Sequence, residues 1–211
     1  PPQARLLVGT RHDPPWSLAR LRARGCLAEF RASDLRFTLD EATELLNRRL
    51  GLGLADDDVA ALYARTEGWP VGLRLLAVSL ERIPDLAGRA AFVRDPAQTD
   101  RYVFDFLAEE VLERQEPAVR TFLLETAILN ELTPARCQAV TGRADAGKML
   151  EELYHRNLFL VNLLPPILQS TSYRSTNLPT YRYHALFAEF LRQRLAQEMP
   201  ERMQALHRRA A

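Results

Sequence analysis

The apolar run Asn-Leu-Phe-Leu-Val at residues 157–161 decides the fold that the sequence predicts. It breaks the helical spacing of the residues before it and is typical of a buried strand. Residues 180–184, Thr-Tyr-Arg-Tyr-His, have the composition of a partner strand. Between the two lie Pro165, Pro166, Pro179 and a run of Ser, Thr and Asn, which favour a long turn. The pattern therefore predicts a β-hairpin with a long tip.

Helical patterns flank this hairpin on both sides. Thr133 and Pro134 form a start signal, an N-cap residue followed by proline at the first helical position. That helix is predicted to end near Gly142, and another is predicted over residues 145–156. An amphipathic helix over residues 185–197 follows the second strand. Two helices, a hairpin with a long tip and a closing helix are typical of a winged helix.

The first half of the chain also has helical patterns. Residues 38–41, Thr-Leu-Asp-Glu, form a capping box at the start of a helix that Gly51 ends. Three aspartates at residues 56–58 favour the start of the next helix, where the macrodipole stabilises negative charge, and Gly68 closes it. Pro70 begins a further helix. These spacings predict a helical domain ahead of the winged helix.

Two segments of the first half are predicted to be extended or irregular. Residues 5–10 have the apolar character of one short strand, and Pro14 and Pro15 prevent its continuation. Residues 84–99 are rich in Pro, Asp, Gly and Ala, and they indicate a break between two subdomains. The predicted fold class is mainly α, a helical domain followed by a winged-helix domain with a β-hairpin wing, plus one N-terminal strand.

The composition excludes several classes of protein. The 28 Lys and Arg residues balance 27 Asp and Glu residues, so the net charge of +1 gives no global field that would gather nucleic acid or an anionic membrane. No window holds about 18 uninterrupted apolar residues, so no membrane partner is expected and a cytoplasmic location is predicted. Cys26 and Cys137 lack the spacing of a disulfide framework or zinc site, and both are predicted to be buried free thiols.

One segment imitates a phosphate-binding loop, because Gly142, Gly147 and Lys148 have the spacing of that motif. The chemistry fails, since Met149 stands where a hydroxyl should reach magnesium and Asp145 would place a like charge beside the phosphates. The sequence also lacks a strand ending in paired acids that could hold the metal ion. It therefore predicts no catalytic residue, no metal site and no enzymatic activity for this chain.

A DNA-binding winged helix is the alternative from another class. The helix predicted over residues 145–156 would enter the major groove, but Glu151 and Glu152 lie beside Lys148 and Arg156. Phosphate anchoring needs several unopposed cations, because each neutralised phosphate drives binding by releasing counterions. A protein-packing role is favoured for this helix, and a non-catalytic interaction scaffold is a further alternative.

The four histidines fall into two groups. His12, His155 and His207 lie in polar settings and are predicted at the surface. His184 ends the second strand and precedes Ala-Leu-Phe, where a buried imidazole with a partner is expected. Two interpretations are open for His184, a core histidine bonded to the backbone or a functional residue.

Six stretches carry a resemblance to a known family. They are residues 7–15 (LVGTRHDPP), 18–25 (LARLRARG), 67–73 (EGWPVGL), 107–112 (LAEEVL), 157–161 (NLFLV) and 181–187 (YRYHALF). In this order and spacing they resemble the MalT-type LuxR regulators, large signal-dependent transcription activators of the STAND class of nucleotide switches. The similarity extends over essentially the whole chain, and it is the combination of motifs that makes it specific.

The resemblance implies a role for residues near both ends of the chain. Thr10 and Arg11 match the end of the strand at which the family's sensor residue faces the nucleotide phosphates. His184 matches the winged-helix histidine that reaches the diphosphate of bound ADP and keeps the resting state closed. Arg11 and His184 are therefore expected to converge, together with Pro70, on one nucleotide.

The resemblance also implies a role for the turn that begins at Gly68. Gly68, Trp69 and Pro70 match the Gly-x-Pro motif of the family's helical domain, whose proline packs on the adenine. The alternative interpretation of Gly68 and Pro70 is a helix stop followed by a helix start, and both interpretations can hold together.

The resemblance further assigns the parts of the chain. Residues 1–36 are expected to be the C-terminal remnant of an α/β nucleotide-binding domain, which supplies the N-terminal strand. Residues 37–97 are expected to form the helical lid domain, residues 98–198 the winged helix, and residues 199–211 the start of the next helical region. The Walker A and B segments are expected upstream, and sensor repeats and a DNA-binding domain downstream.

These assignments imply cofactors and partners. The fragment itself is expected to hold no cofactor, whereas the full-length protein would bind ATP or ADP with Mg and hydrolyse ATP slowly. Its partners would be the rest of its own chain and, after activation, further copies of itself. DNA would be contacted only through the C-terminal domain. The predicted function is thus the regulatory core of an ATP-dependent, signal-responsive transcription activator.

Overall fold

The computed structural model of the chain describes residues 4–10, 14–163 and 179–210, so the hairpin tip lies outside the described residues. Within that part the chain is mainly α-helical, with one two-stranded antiparallel sheet. In chain order the elements are α1 (Leu18–Ala23), α2 (Leu39–Thr43), α3 (Asp56–Thr66), α4 (Pro70–Glu81), α5 (Leu86–Arg94), α6 (Pro96–Leu107), α7 (Pro117–Thr126), α8 (Pro134–Thr141), α9 (Ala146–His155), β1 (Leu160–Asn162), β2 (Tyr181–Tyr183), α10 (Ala185–Glu198) and α11 (Pro200–Ala210). Turns of π-helix extend α2 over Glu44–Arg49 and α6 over Ala108–Leu112.

The helices begin at the local signals in the sequence. The Thr38 hydroxyl accepts from the Glu41 N–H at 3.2 Å, and the Glu41 carboxylate accepts from the Thr38 N–H at 2.8 Å. These two bonds complete the predicted capping box before α2. The Thr133 hydroxyl likewise accepts from the Arg136 N–H at 3.2 Å and caps α8. Proline occupies the first turn of α4, α7 and α8, where its missing N–H removes no helical bond.

A continuous hydrophobic core runs through both halves of the described chain. Its largest fully buried side chains are Phe122, Phe187, Phe190, Leu46, Leu52, Leu62, Leu73, Leu76, Leu80, Leu107, Leu112 and Leu123. Full burial of one such side chain stabilises a fold by about 1.5–3 kcal/mol. Because the core is continuous, packing does not mark the domain boundaries predicted after residues 36, 97 and 198, and these stay predictions. None of the described helices has the length and apolar character needed to cross a bilayer.

The hairpin packs on the helices around it. β1 and β2 pair antiparallel, with Leu160 opposite Tyr183. Leu132, just before α8, adds a bridge to Tyr181 through two backbone hydrogen bonds of 2.7 and 3.0 Å. The buried Tyr183 hydroxyl lies 2.7 Å from the Thr126 hydroxyl at the end of α7. Helices α7 to α9 with this two-stranded wing confirm the predicted fold class of a helical domain followed by a winged helix.

The segment that imitates a phosphate-binding loop is a junction between two helices. Gly142 ends α8 in the left-handed conformation, with a φ of 74°. Gly147 lies in the first turn of α9, next to Pro134. The glycine spacing is therefore that of a helix cap followed by a helix start.

Residues 84–99 do not form the predicted irregular break. They contain α5 and the start of α6. The Asp85 carboxylate accepts from the Gly88 N–H at 2.7 Å and caps α5, whose Phe92 is buried in the core. The composition predicted a break because Pro, Asp and Gly favour turns. Here Asp85 and the proline that opens α6 are helix-start residues instead.

Two further predictions are wrong. Residues 4–10 take no strand, and Leu6 and Leu7 are 82% and 94% exposed. A strand needs a neighbour for its N–H and C=O groups, and the described strands β1 and β2 pair with each other. The predicted burial fails for Cys26, which is exposed just after a helix that buries none of its residues, whereas Cys137 is buried as predicted.

Replacing Asp85 with alanine removes the cap of α5, and we expect the free energy of unfolding to fall by about 1 kcal/mol. Asp85→Asn is the matched control, because asparagine caps a helix as well as aspartate does. Urea unfolding followed by circular dichroism measures both variants. Equal stability of the alanine variant and the parent protein would contradict the capping role.

Candidate functional site

The candidate site lies where the turn between α3 and α4 meets the start of α10. Glu67, Gly68 and Trp69 form this turn, and Pro70 takes the first position of α4. Glu67 and Gly68 are both left-handed, with φ of 47° and 71°. The Gly68 N–H donates to the Tyr63 carbonyl at 3.3 Å and closes α3. The helix stop and helix start indicated by the sequence are therefore present.

Gly68 meets a second backbone segment at close range. The Phe37 N–H donates to the Gly68 carbonyl at 2.8 Å, which draws the two chains together. A Cβ atom at Gly68 would lie 2.3 Å from the Phe37 carbonyl oxygen. This position therefore requires glycine for the approach as well as for its backbone conformation.

Trp69 connects the turn to the winged helix through aromatic contacts. Its ring centroid lies 5.1 Å from that of Phe159, 6.0 Å from that of Phe106 and 6.2 Å from that of His184. The indole also covers Gly72, where a Cβ atom would lie 2.6 Å from Trp69 Cε3. The side chain is thus confined between α4, α6 and the residues that flank the wing.

His184 lies between β2 and α10 and is 3% exposed. Its backbone N–H donates to the Phe159 carbonyl at 2.8 Å, and its Nε2 lies 2.8 Å from the Thr66 carbonyl oxygen. Because a carbonyl only accepts, Nε2 carries the proton, and Nδ1 of the neutral ring is an acceptor. Among the described residues, Nδ1 has no hydrogen-bond partner. His184 is therefore a core histidine bonded to the backbone, as one of the two interpretations expected, and its Nδ1 bonds to no described residue.

Burial lowers the pKa of His184, since the imidazolium would lose hydration in this position. The Glu67 carboxylate and the Thr66 carbonyl act in the opposite direction, because both favour the charged ring. The positive charges of Arg36 and Arg182 lower the pKa again. With its pKa below the ordinary value, His184 is neutral at physiological pH.

Glu67 joins three parts of the chain through one carboxylate. The carboxylate accepts two hydrogen bonds from Arg182 on β2, at 2.9 and 3.0 Å, and one from the Ala185 N–H that opens α10, at 2.9 Å. Arg36, ahead of α2, donates to the same carboxylate at 3.0 Å and to the Glu67 carbonyl at 3.2 Å. We call this group of four residues the Glu67 clamp.

The clamp fixes the charge of its central residue. Burial raises the pKa of Glu67, but the hydrogen bonds from Arg182, the Ala185 N–H and Arg36 and the nearby His184 outweigh it. Together they bring the pKa from 4.5 down to about 2. Glu67 is therefore a carboxylate at every physiological pH.

The structure brings together only part of the predicted nucleotide site. The α3 to α4 turn meets His184 through the 6.2 Å contact between the Trp69 and His184 rings. Thr10 is exposed in the segment at residues 4–10, and Arg11 lies outside the described residues. The convergence of Arg11 and Pro70 with His184 on one nucleotide stays a prediction, as does the role of Thr10.

Sequence reasoning missed the Glu67 clamp. Glu67 directly precedes the Gly-x-Pro motif, and Arg182 lies two residues before His184, so both stand inside stretches that carry the family resemblance. The available signal was a pair of opposite charges, each beside a predicted site residue. Arg36 carried no comparable signal, because no motif includes it.

The fold and the site define the chain as a helical domain followed by a winged helix, and the turn between α3 and α4 contacts both β2 and the start of α10. Residues 108–203 match the MalT winged helix domain family. Over 211 residues the chain is 31% identical to the HTH-type transcriptional regulator MalT of Klebsiella pneumoniae, and over 214 residues it is 30% identical to that of Vibrio cholerae. Each alignment covers 100% of the chain and 22% of the relative. The similarity to these MalT regulators thus extends along the whole chain.

A second kind of relative matches the same residues. Over 202 residues the chain is 37% identical to the serine/threonine-protein kinase PknK of Mycobacterium tuberculosis, with 93% of the chain and 17% of the kinase covered. The chain therefore spans about a fifth of the length of the curated relatives it matches.

Gly68→Ala should lower the free energy of unfolding by more than the roughly 1–3 kcal/mol of a strained left-handed residue, because the new methyl also meets the Phe37 carbonyl. Gly51→Ala is the matched control. Gly51 has a φ of 65°, but a Cβ atom there would meet nothing within 4 Å. Urea unfolding of the two variants separates backbone strain from the close approach. Equal losses would contradict a steric requirement at Gly68.

Proposed function

We propose that this chain is the nucleotide-responsive regulatory core of a signal-dependent transcription regulator. The observation that carries the proposal is His184, a buried histidine that bonds the Thr66 carbonyl, 118 residues away, and whose Nδ1 has no hydrogen-bond partner in the described part of the chain. The likeness to MalT, whose name describes a transcriptional regulator, covers the whole chain and supports the same function.

The two kinds of relative support a regulatory role for the segment they share. The chain aligns over nearly its full length with a protein named as a kinase and with one named as an HTH-type regulator. A segment common to both is best explained as a module that controls an output located elsewhere in each protein. We propose that this chain has no catalytic activity of its own.

In the proposed mechanism, ADP or ATP with Mg is bound mainly by a nucleotide-binding domain upstream of the described helices. Pro70 and Trp69 would lie beside the adenine, Thr10 and Arg11 would face the phosphates, and His184 would contact the diphosphate. The bound nucleotide supplies the negative charge that favours an imidazolium. Nδ1 of His184, to which no described residue bonds, fits this role, because protonation turns it into a donor while Nε2 keeps its bond to the backbone.

One hydrogen bond from His184 is too weak to keep the resting state closed without other contacts. A charge-assisted hydrogen bond contributes about 1.5–3 kcal/mol, whereas moving a two-state equilibrium from 1:99 to 99:1 needs about 5.5 kcal/mol. Arg11, Pro70 and the placement of the two helical subdomains are our candidates for the remainder. In the opened state the regulator would self-associate, and a separate DNA-binding domain would contact DNA.

A DNA-binding role for this winged helix is less well supported. Arg156, which directly follows α9, pairs with Glu152 on that helix at 2.7 Å. Glu151 is exposed on the same helix. A helix with this balance of charge offers weak anchoring to phosphates.

Binding of a nucleoside diphosphate to the intact regulator should take up as much as about one proton near pH 7. Free His184 is neutral because burial lowers its pKa, and the bound diphosphate would raise that pKa. Affinity should therefore rise as pH falls and weaken as pH rises through the pKa of the bound state. Calorimetric titration in buffers of different ionisation enthalpy counts the protons.

The controls for this titration use two histidines of opposite burial. His184→Asn should abolish the proton uptake, while His155→Asn should leave it unchanged because His155 is exposed. Undiminished proton uptake in the His184 variant would refute the assignment.

His184→Ala in the intact regulator should raise transcription in the absence of inducer. Loss of one charge-assisted bond of about 1.5–3 kcal/mol would shift the resting equilibrium by about tenfold to a hundredfold. His184→Gln is a second variant that fills the site and retains a donor for the Thr66 carbonyl, and His155→Ala is the surface control. Reporter activity is normalised to the amount of folded regulator. An unchanged resting activity in both His184 variants would reduce this histidine to a core residue.

A further inference from the structure

The Glu67 clamp connects the helical domain to the wing at a single side chain. Arg182 and Ala185 lie 115 and 118 residues after Glu67 in the sequence, on consecutive elements of the winged helix. The neighbouring residue Thr66 accepts the bond from His184 through its carbonyl. One turn therefore makes polar contacts both to the wing strand and to the histidine that follows it, beside the pairing of Arg65 on α3 with Asp100 on α6.

The clamp is better shielded than the surface ion pair of Arg74 and Glu81 on α4. The Glu67 side chain is 16% exposed and Arg182 is 36% exposed, whereas Arg74 and Glu81 in a surface pair are 51% and 38% exposed. Exposed pairs contribute little, because water and salt screen them. A half-buried carboxylate that accepts from two guanidinium groups and a backbone N–H makes stronger, charge-assisted bonds.

We propose that the Glu67 clamp is an intramolecular latch that keeps the winged helix closed on the helical domain in the resting protein. This inference rests on the proposed switch function and identifies the contact that operates it. Movement of β2 and α10 away from the turn would break the bonds to Arg182 and to the Ala185 N–H together. It would also leave Arg182 without its counter-charge, whereas Arg36 would keep its bonds to Glu67. A partly open latch is therefore unfavourable, and the contact favours two discrete states.

Acid is not the trigger of this latch. The carboxylate stays charged at physiological pH, because the pKa of Glu67 is about 2. His184 and the two arginines are the other charged or titratable groups that act on it, and none of them neutralises Glu67 near pH 7. Release therefore requires displacement of the wing and not protonation of the clamp.

Amide hydrogen exchange of the nucleotide-free protein, resolved by mass spectrometry, tests the latch directly. Glu67→Ala removes the acceptor, and Glu67→Gln keeps the shape but removes the charge. Exchange should become at least about tenfold faster at residues 63–70 and 181–187 and stay unchanged in α8 and α9. Glu81→Gln, which breaks an exposed pair, is the matched control and should leave all segments unchanged.

Two results would overturn the latch. One is an unchanged exchange rate at both segments in the two Glu67 variants. The other is an equal acceleration throughout the chain, which indicates general destabilisation. Arg182→Gln removes the partner on β2 and should reproduce the local pattern, so the test does not depend on one variant folding well.

The second readout is transcription driven by the intact regulator in the absence of inducer. Glu67→Gln and Arg182→Gln should each raise resting transcription, while Glu81→Gln should not. The experiments can refute the latch and the proposed nucleotide response independently of each other. If nucleotide binding is absent but exchange is locally faster, the latch stands and the nucleotide role of His184 falls. If proton-linked binding is present but exchange is unchanged, the latch falls and the proposed function stands.

Discussion

The carboxylate of Glu67, bonded to Arg36, Arg182 and the N–H of Ala185, is the interaction on which the described arrangement depends. Hydrophobic packing supplies most of the stability, but packing tolerates several relative placements of two helical units. The clamp specifies one of them, because its bonds require three segments to meet at fixed distances. Glu67 and the glycine after it both have a left-handed backbone, and the Glu67 side chain contacts the wing strand at Arg182.

Local elements of this fold could be predicted from the sequence because their causes are local. The capping box at Thr38, the Thr133 start signal and the two strands each depend on residues a few positions apart. The α5 helix was missed because Asp85 and proline serve turns and helix starts equally well, and only the burial of Phe92 decides between them. Composition carries no information about that burial.

The candidate site was predictable only in part, for a related reason. Family resemblance identified the turn at Gly68 and the histidine at 184, and the structure brings their surroundings together. The clamp joins residues 115 positions apart, and a Glu and an Arg at that separation carry no periodic or spacing signal. Among the residues that the structure describes, Nδ1 of His184 has no hydrogen-bond partner, and this too is a property of three-dimensional packing. It gives the buried ring a free acceptor that a fully hydrogen-bonded core histidine would lack.

The indole of Trp69 limits what α4 can carry at position 72. Alanine suits a helix better than glycine by up to about 1 kcal/mol, so Gly72 is an inviting target for engineering a more heat-resistant protein. The added methyl would meet Trp69 Cε3 at 2.6 Å and displace a ring that also touches Phe159 and His184. At this position a substitution that stabilises the helix would therefore disturb the packing of Trp69 against the wing. Stabilising substitutions are better sought on the solvent-exposed face of α4.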